Sequence, residues 1–153
     1  MTVSRRDDLT YATLMITAVF LYSSMCAHPL YTGLGYLLAV PAVTLIPGLI
    51  LRAPALFLTG TTVTAIATLL VYMKIMSSLD HPEGMLGLGH MFSVPGMLIG
   101  AGVSAWLLRD RVKTRLPWIV AGVGVLGAAL GFMVAQIVVC NTLMYCSALS
   151  LGV

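Results

Sequence analysis

The sequence predicts an all-α integral membrane protein, a single domain of residues 1–153 built as a bundle of five transmembrane helices. Of the 153 residues, 59% are hydrophobic and 8% are charged, and the mean hydropathy is +1.02. Soluble domains carry roughly 25% charged residues. Seven of the eight basic residues fall into three short gaps between five apolar runs. This distribution predicts a cytoplasmic N-terminus and an exterior C-terminus.

The five apolar runs each have the length of about 17 to 25 residues that a helix needs to cross a bilayer. Because a lipid-exposed backbone must pair its own hydrogen bonds, and the runs lack the alternation of barrel strands, helices are expected. Asp7 and Asp8 interrupt the basic start and no clean small-x-small cleavage site precedes His28 and Pro29, so the first run is predicted to be a retained span rather than a signal peptide. The predicted spans are residues 9–26, 34–51, 55–73, 91–108 and 116–139.

The positions of the basic residues predict the orientation. A pair of arginines precedes the first run, Arg52 separates the second run from the third, and four basic residues in segment 109–115 separate the fourth from the fifth. The positive-inside rule places these gaps in the cytoplasm, and Lys74 is the one basic residue that departs from the rule. Small size and short loops favour the bacterial inner membrane.

Aromatic residues mark the predicted membrane boundaries, where amphipathic rings are favoured. Trp106 and Trp118 flank the basic segment 109–115, and Tyr36 and Tyr72 lie at the opposite boundary. The two ends of the predicted spans are therefore distinguished by ring chemistry as well as by charge.

Prolines shape the second and third runs. Pro41 and Pro47 can kink a helix, which leaves open whether the second run crosses the bilayer fully. Only three residues, Arg52 to Pro54, separate it from the third run. The two runs are therefore expected to form a tight antiparallel hairpin, with Pro54 in the first turn of the third helix.

Hydroxyl side chains follow one face of the third run at helical spacing. We interpret this face as a packing face, because threonine can bond the backbone of its own helix. The alternative is a face that lines a cavity or contacts Thr13 and Thr17 of the first run. The row consists of Thr61, Thr64, Thr68 and Tyr72.

Two GxxxG patterns predict close helix contacts, since small residues let membrane helices approach each other. One pairs Gly96 with Gly100 and the other pairs Gly127 with Gly131. Packing inside one chain is the favoured interpretation. A homo-oligomer formed through either pattern is the alternative.

The apolar runs contain no Asp, Glu, Lys or Arg, and this argues against several functions. Ion-coupled carriers normally need buried ionisable groups. The chain has no GxxxxGK[ST] sequence for a nucleotide, and segment 109–115 is better interpreted as an anchor at anionic headgroups than as a nucleic-acid site. No catalytic residues are assigned, and the protein is not expected to be an enzyme.

The exterior segment of residues 74–90 is the longest predicted soluble piece, and it is the favoured recognition surface. The sequence therefore predicts a non-catalytic interaction protein, either an accessory subunit of a membrane complex or an immunity-type protective partner. Its expected partners are the lipid bilayer and a membrane or exterior protein. The residues assigned to the surface are Asp80, His81, Glu83, Met85 and His90.

An exterior copper site is the alternative function. Thioether and imidazole groups are the ligands that copper(I) prefers, and both occur along one stretch of the chain. This is the only cofactor that the sequence suggests, and the spacing of its ligands matches no known metal motif. The candidate ligands are His81, Met85, His90 and Met91.

The three cysteines are all predicted on the exterior side, where disulfides form. Cys140 and Cys146 can pair if the last helix ends near Cys140, and Cys26 is an alternative partner for either. Three cysteines allow three pairings and leave one thiol over. A structural disulfide is favoured over redox catalysis because the chain has no CxxC motif.

Overall fold

The computed structural model describes residues 4–25, 33–78, 84–109 and 116–143. Throughout these ranges the regular structure is helical, with no strand, so the all-α prediction is confirmed. The helices are α1 (Arg5–Met25), α2 (Gly33–Ile50), α3 (Phe57–Ser77), α4 (Gly84–Arg109) and α5 (Pro117–Thr142).

Three helices contain a segment that is long and apolar enough to cross a membrane: Phe57–Ser77, Gly87–Arg109 and Pro117–Thr142. Gly35–Ile50 of α2 is a shorter apolar helix, and it continues through both of its prolines. The chain thus has the features of a membrane protein. The five-span topology and the placement of the termini stay predictions.

Helix α1 begins before the apolar run, because polar groups cap its start. The Ser4 N–H donates to the Asp7 carboxylate at 2.9 Å, and the Arg6 N–H donates to the Ser4 hydroxyl at 3.1 Å. The two hydrogen bonds together cap the start of α1 in the manner of a capping box, with the Ser4 hydroxyl on the second helical N–H. Asp7 and Asp8 therefore lie in the helix instead of in an irregular leader.

Contacts between helices establish their relative directions. Arg5 Nη2 of α1 donates to the Leu49 carbonyl of α2 at 2.9 Å. We call this end of the bundle, where α1, α3 and α5 begin and α2 and α4 end, the basic end. The opposite end is the His90 end. Near the basic end Gly60 of α3 meets Ala121 of α5, and one turn further along both helices Thr64 meets Val125, which shows that these two helices run parallel.

The connection between α2 and α3 is tight, as the short gap predicts. Arg52 and Leu56 have φ of 51° and 69°, a left-handed conformation that costs roughly 1–2 kcal/mol in a residue with a side chain. Pro54 lies in this turn, and its carbonyl accepts the Phe57 N–H at 3.2 Å. The expectation that Pro54 belongs to the first turn of α3 is wrong, because the left-handed Leu56 delays the helix until Phe57.

The two GxxxG patterns pack against each other within one chain. A Cβ atom on Gly96 would overlap the Gly131 carbonyl, and one on Gly100 would overlap the Gly127 carbonyl. Helices α4 and α5 thus meet backbone to backbone along a seam of these four glycines, which we call the glycine seam. Packing within one chain is thus observed, and a homo-oligomer through either pattern stays a prediction.

The hydroxyl row of α3 packs inside the bundle, with Thr64 directed toward α5 and Tyr72 toward His90 of α4. The Thr64 hydroxyl lies 3.2 Å from the Val125 carbonyl of α5, and the Thr61 hydroxyl donates to the Leu58 carbonyl at 3.0 Å. Both side chains are buried. Thr13 and Thr17 of α1 are exposed and bond within their own helix, so the row does not meet them.

Candidate functional site

Of the Asp, Glu, Lys, Arg and His side chains that the structure describes, two are buried, one toward each end of the bundle. Asp8 is 0% exposed and His90 is 4% exposed. Both lie just outside the apolar runs of the sequence, at positions 8 and 90 beside runs that start at 9 and 91. The helices extend beyond those runs, and this extension brings both side chains inside.

Asp8 caps the start of α3 from another helix. Its Oδ2 accepts the Leu58 N–H at 3.0 Å, and its Oδ1 accepts the Thr59 N–H at 2.8 Å and the Thr59 hydroxyl at 2.6 Å. The first N–H groups of a helix have no partner within it, and negative charge is favoured at that end. The residue before α3 is Leu56, which cannot cap. Asp8 therefore replaces a missing local cap.

At the His90 end, four rings from four helices form what we call the His90 cluster. The Tyr36 hydroxyl and His90 Nδ1 are 2.7 Å apart and share a hydrogen bond. The His90 ring centroid lies 5.8 Å from that of Tyr36, 5.5 Å from that of Tyr72 and 5.1 Å from that of Phe132. These residues come from α4, α2, α3 and α5 respectively. One histidine thus contacts three other helices.

Two polar atoms in the His90 cluster are buried without a hydrogen-bond partner in the described part of the chain: His90 Nε2 and the Tyr72 hydroxyl. Each such atom costs about 1–3 kcal/mol. Ser23 and Thr62 also have unpartnered hydroxyls, but only the His90 cluster brings two such groups onto neighbouring rings. These two atoms can hold a water molecule or a small polar group.

A second polar group follows one helical turn along α4. The Ser93 hydroxyl lies 2.5 Å from Gln136 Oε1 of α5 and 2.9 Å from the Gly89 carbonyl. Gln136 Nε2 in turn lies 3.5 Å from Cys140 Sγ. Because Ser93 shares a face of α4 with His90, polar contacts extend from the His90 cluster along the contact between α4 and α5.

The structure places only part of the predicted recognition surface. His90 packs among three rings and belongs to the interior of the bundle, not to its exposed surface. Asp80, His81 and Glu83 lie outside the described residues, and of Met85 only the helical backbone is described. The recognition role of this segment stays a prediction.

The alternative copper site also stays a prediction. His81 and the Met85 side chain are outside the described set, and Met91 is 45% exposed beside the buried His90. Among the described residues no group of three or more His, Cys, Asp or Glu side chains is placed to hold a metal. His90 Nδ1 is engaged by Tyr36 and would bind a metal only through Nε2.

The predicted disulfide concerns the same end of the bundle. Cys140 is 1% exposed and lies two residues before the end of α5. Its candidate partners, Cys26 and Cys146, are outside the described residues, so the pairing stays a prediction.

Sequence reasoning missed the Asp8 cap and the roles of Tyr36, Tyr72 and Phe132. The Asp8 cap had a signal, because no Ser, Thr, Asp or Asn stands immediately before Phe57 to cap α3 locally. The sequence predicts both tyrosines at the same membrane boundary as His90. This common position along the membrane normal was the one sequence feature that indicated a contact among the three rings. Nothing in the pattern distinguished Phe132 from its apolar neighbours.

Comparisons of the chain with protein-family models, with curated proteins and with solved structures found no match. The function is therefore argued from the residues of the bundle and their contacts.

Proposed function

We propose that this chain is a five-span protein of the bacterial inner membrane that acts as a non-catalytic interaction protein. It is an accessory subunit of a larger membrane complex or a protective partner of the immunity type. The N-terminus is cytoplasmic and the C-terminus exterior in this proposal, so the His90 end faces the exterior. The partner is a membrane or exterior protein that binds the segment carrying Asp80, His81 and Glu83.

The observation that carries the proposal is how the His90 cluster holds the two helices on either side of that segment. Tyr72 lies five residues before the end of α3 at Ser77, and His90 lies six residues after the start of α4 at Gly84. Their ring centroids are 5.5 Å apart. A short segment with both attachment points fixed loses less conformational freedom on binding, and this preorganisation favours affinity.

The charge of the segment indicates the chemistry of the partner. Two of the five acidic residues of the chain, Asp80 and Glu83, lie within four positions of each other. Complementary charge steers association and excludes wrong partners. The partner surface is accordingly basic in this proposal.

The topology is tested by fusing alkaline phosphatase, which is active only outside the cytoplasm, after selected residues. Fusions after Ser78 are expected to be active, and those after Arg52 and Arg109 inactive. An active fusion after Arg52 would show that the Pro41 and Pro47 helix does not cross the membrane, and it would overturn the five-span arrangement.

The interaction is tested by quantitative affinity purification from native membranes. The double variant D80K/E83K is expected to lose a specific companion protein that the wild type retains. The control is D7K, which makes the same change from carboxylate to ammonium at one exposed position of the basic end, half of the charge change of the double variant. Recovery of one identical set of proteins from all three forms would contradict the proposal, as would the absence of any enriched companion.

A further inference from the structure

A groove of about 650 Å³ runs along the outside of the glycine seam between α4 and α5. Its floor is formed by glycine backbone, and exposed side chains such as Ile99 and Leu130 form its walls. The lining is apolar except for Ser104, whose hydroxyl is occupied by the Gly100 carbonyl. The groove therefore suits a hydrocarbon chain and offers no site for a polar ligand.

The groove is longer than the hydrocarbon depth of one bilayer leaflet. On α4 the lining extends from Phe92 to Leu107, about 22 Å at a rise of 1.5 Å per residue. Half of the hydrocarbon core of a bilayer is about 15 Å thick. An acyl chain that enters from either end thus finds continuous apolar walls over the whole depth of its leaflet.

Charge distinguishes the two ends of the groove. Arg109 follows the last lining residue of α4 by two positions, and segment 109–115 contains four basic residues and one acidic residue. At the opposite end, near Phe92 and Val138, the described parts of α4 and α5 carry no charged residue, and Lys74 of α3 is the described basic residue at the His90 end. Trp106 and Trp118 are 60% and 80% exposed at the basic end, as residues at the headgroup level of a membrane often are.

We propose that the groove binds one acyl chain of an anionic phospholipid whose phosphate headgroup lies beside Arg109. The apolar lining recognises the chain, and the basic end selects a negative headgroup over a zwitterionic one. The proposal rests on the proposed membrane location, but it is independent of any protein partner. Loss of the partner interaction would leave it intact.

The chain contains a reporter for this site, because both of its tryptophans lie at the basic end of the groove. The full chain is reconstituted in two kinds of phosphatidylcholine vesicle. One contains brominated phosphatidylglycerol and the other contains the same fraction of brominated phosphatidylcholine. Brominated acyl chains quench tryptophan fluorescence, so quenching measures how closely each lipid approaches the tryptophans. We expect an apparent affinity for brominated phosphatidylglycerol at least about fivefold higher, in line with the attraction of one or more basic residues. Equal quenching by the two lipids would overturn the proposal.

Two substitutions separate the headgroup site from the groove. R109Q is expected to reduce the preference for phosphatidylglycerol about fivefold, whereas R52Q, at the same end but on the connection between α2 and α3, retains it. V103F narrows the groove and is expected to weaken quenching, whereas V63F on α3 is the matched control. A preference that survives V103F would show attraction to the basic segment alone and would overturn the groove as a binding site.

Circular dichroism of each variant shows whether its helices have formed. If R109Q loses helicity, R109K is used in its place and is expected to retain the preference in low salt and to lose it in high salt. A preference that does not change with salt would contradict selection by headgroup charge.

Discussion

The two ends of the bundle treat a buried ionisable side chain in opposite ways. At the basic end, both carboxylate oxygens of Asp8 accept hydrogen bonds from the first turn of α3. At the His90 end, His90 has one nitrogen bonded to Tyr36 and one without a partner in the described chain. A buried carboxylate whose two oxygens both accept hydrogen bonds is typical of a residue that stabilises the contact between two helices. Incomplete pairing keeps hydrogen-bonding capacity available where the proposed recognition segment is attached.

The largest expected effect is at Asp8. D8A leaves two N–H groups and a hydroxyl without their acceptor, and hydrogen bonds to charged groups are worth about 1.5–3 kcal/mol each before relaxation. We expect a loss of about 2–4 kcal/mol in the free energy of unfolding, measured by denaturant titration in detergent. The control is D7A, which removes an exposed cap of α1 and should cost less than about 1 kcal/mol. Equal losses of unfolding free energy in D8A and D7A would show that the buried Asp8 cap stabilises the protein no more than an exposed cap does.

A smaller effect is expected at the glycine seam, which connects the two ends. In G100A the new methyl group meets the Gly127 carbonyl, which belongs to a helix backbone and cannot move aside alone. Overpacking of this kind costs about 1–3 kcal/mol. G122A is the control, because nothing lies within 4 Å of a Cβ atom there. The melting temperatures of the two variants provide the measurement, and a G100A protein as stable as G122A would show that the helices separate easily.

The smallest effects, and the sharpest comparison, come from two tyrosines of the His90 cluster. Y36F removes a hydroxyl that is bonded to His90 and should destabilise the protein by about 1 kcal/mol. Y72F removes a buried hydroxyl that has no partner in the described chain, so it should be neutral or stabilising by up to about 1 kcal/mol. Removal of a tyrosine hydroxyl is thus expected to lower the free energy of unfolding at one ring and to leave it unchanged or raise it at the neighbouring ring. If Y72F destabilises as much as Y36F, the Tyr72 hydroxyl is bonded to a water molecule or a ligand.

The fold could be predicted largely from the sequence, since each helix coincides with an apolar run and composition alone dictates helices in lipid. The internal pairing of the GxxxG patterns followed from the same reasoning. The ends of the helices were harder to predict, because α1 and α4 begin several residues before their apolar runs. Asp8 and His90 lie in those extensions, so both were assigned to segments outside the bundle. Their partners are 50 and 54 residues away in sequence, a separation that no local pattern encodes.

The contact of Asp8 with α3 also bears on how the chain is assembled in the membrane. The acceptor that α3 needs for its first turn belongs to a helix made earlier, so it is present when α3 leaves the ribosome. A polypeptide that begins after α1 would insert α3 with its leading amides unpaired at the edge of the hydrocarbon, where such groups are costly. In the proposed membrane arrangement, α1 thus supplies the acceptor that the start of α3 lacks, and adding α1 as a separate peptide is expected to rescue a chain without it.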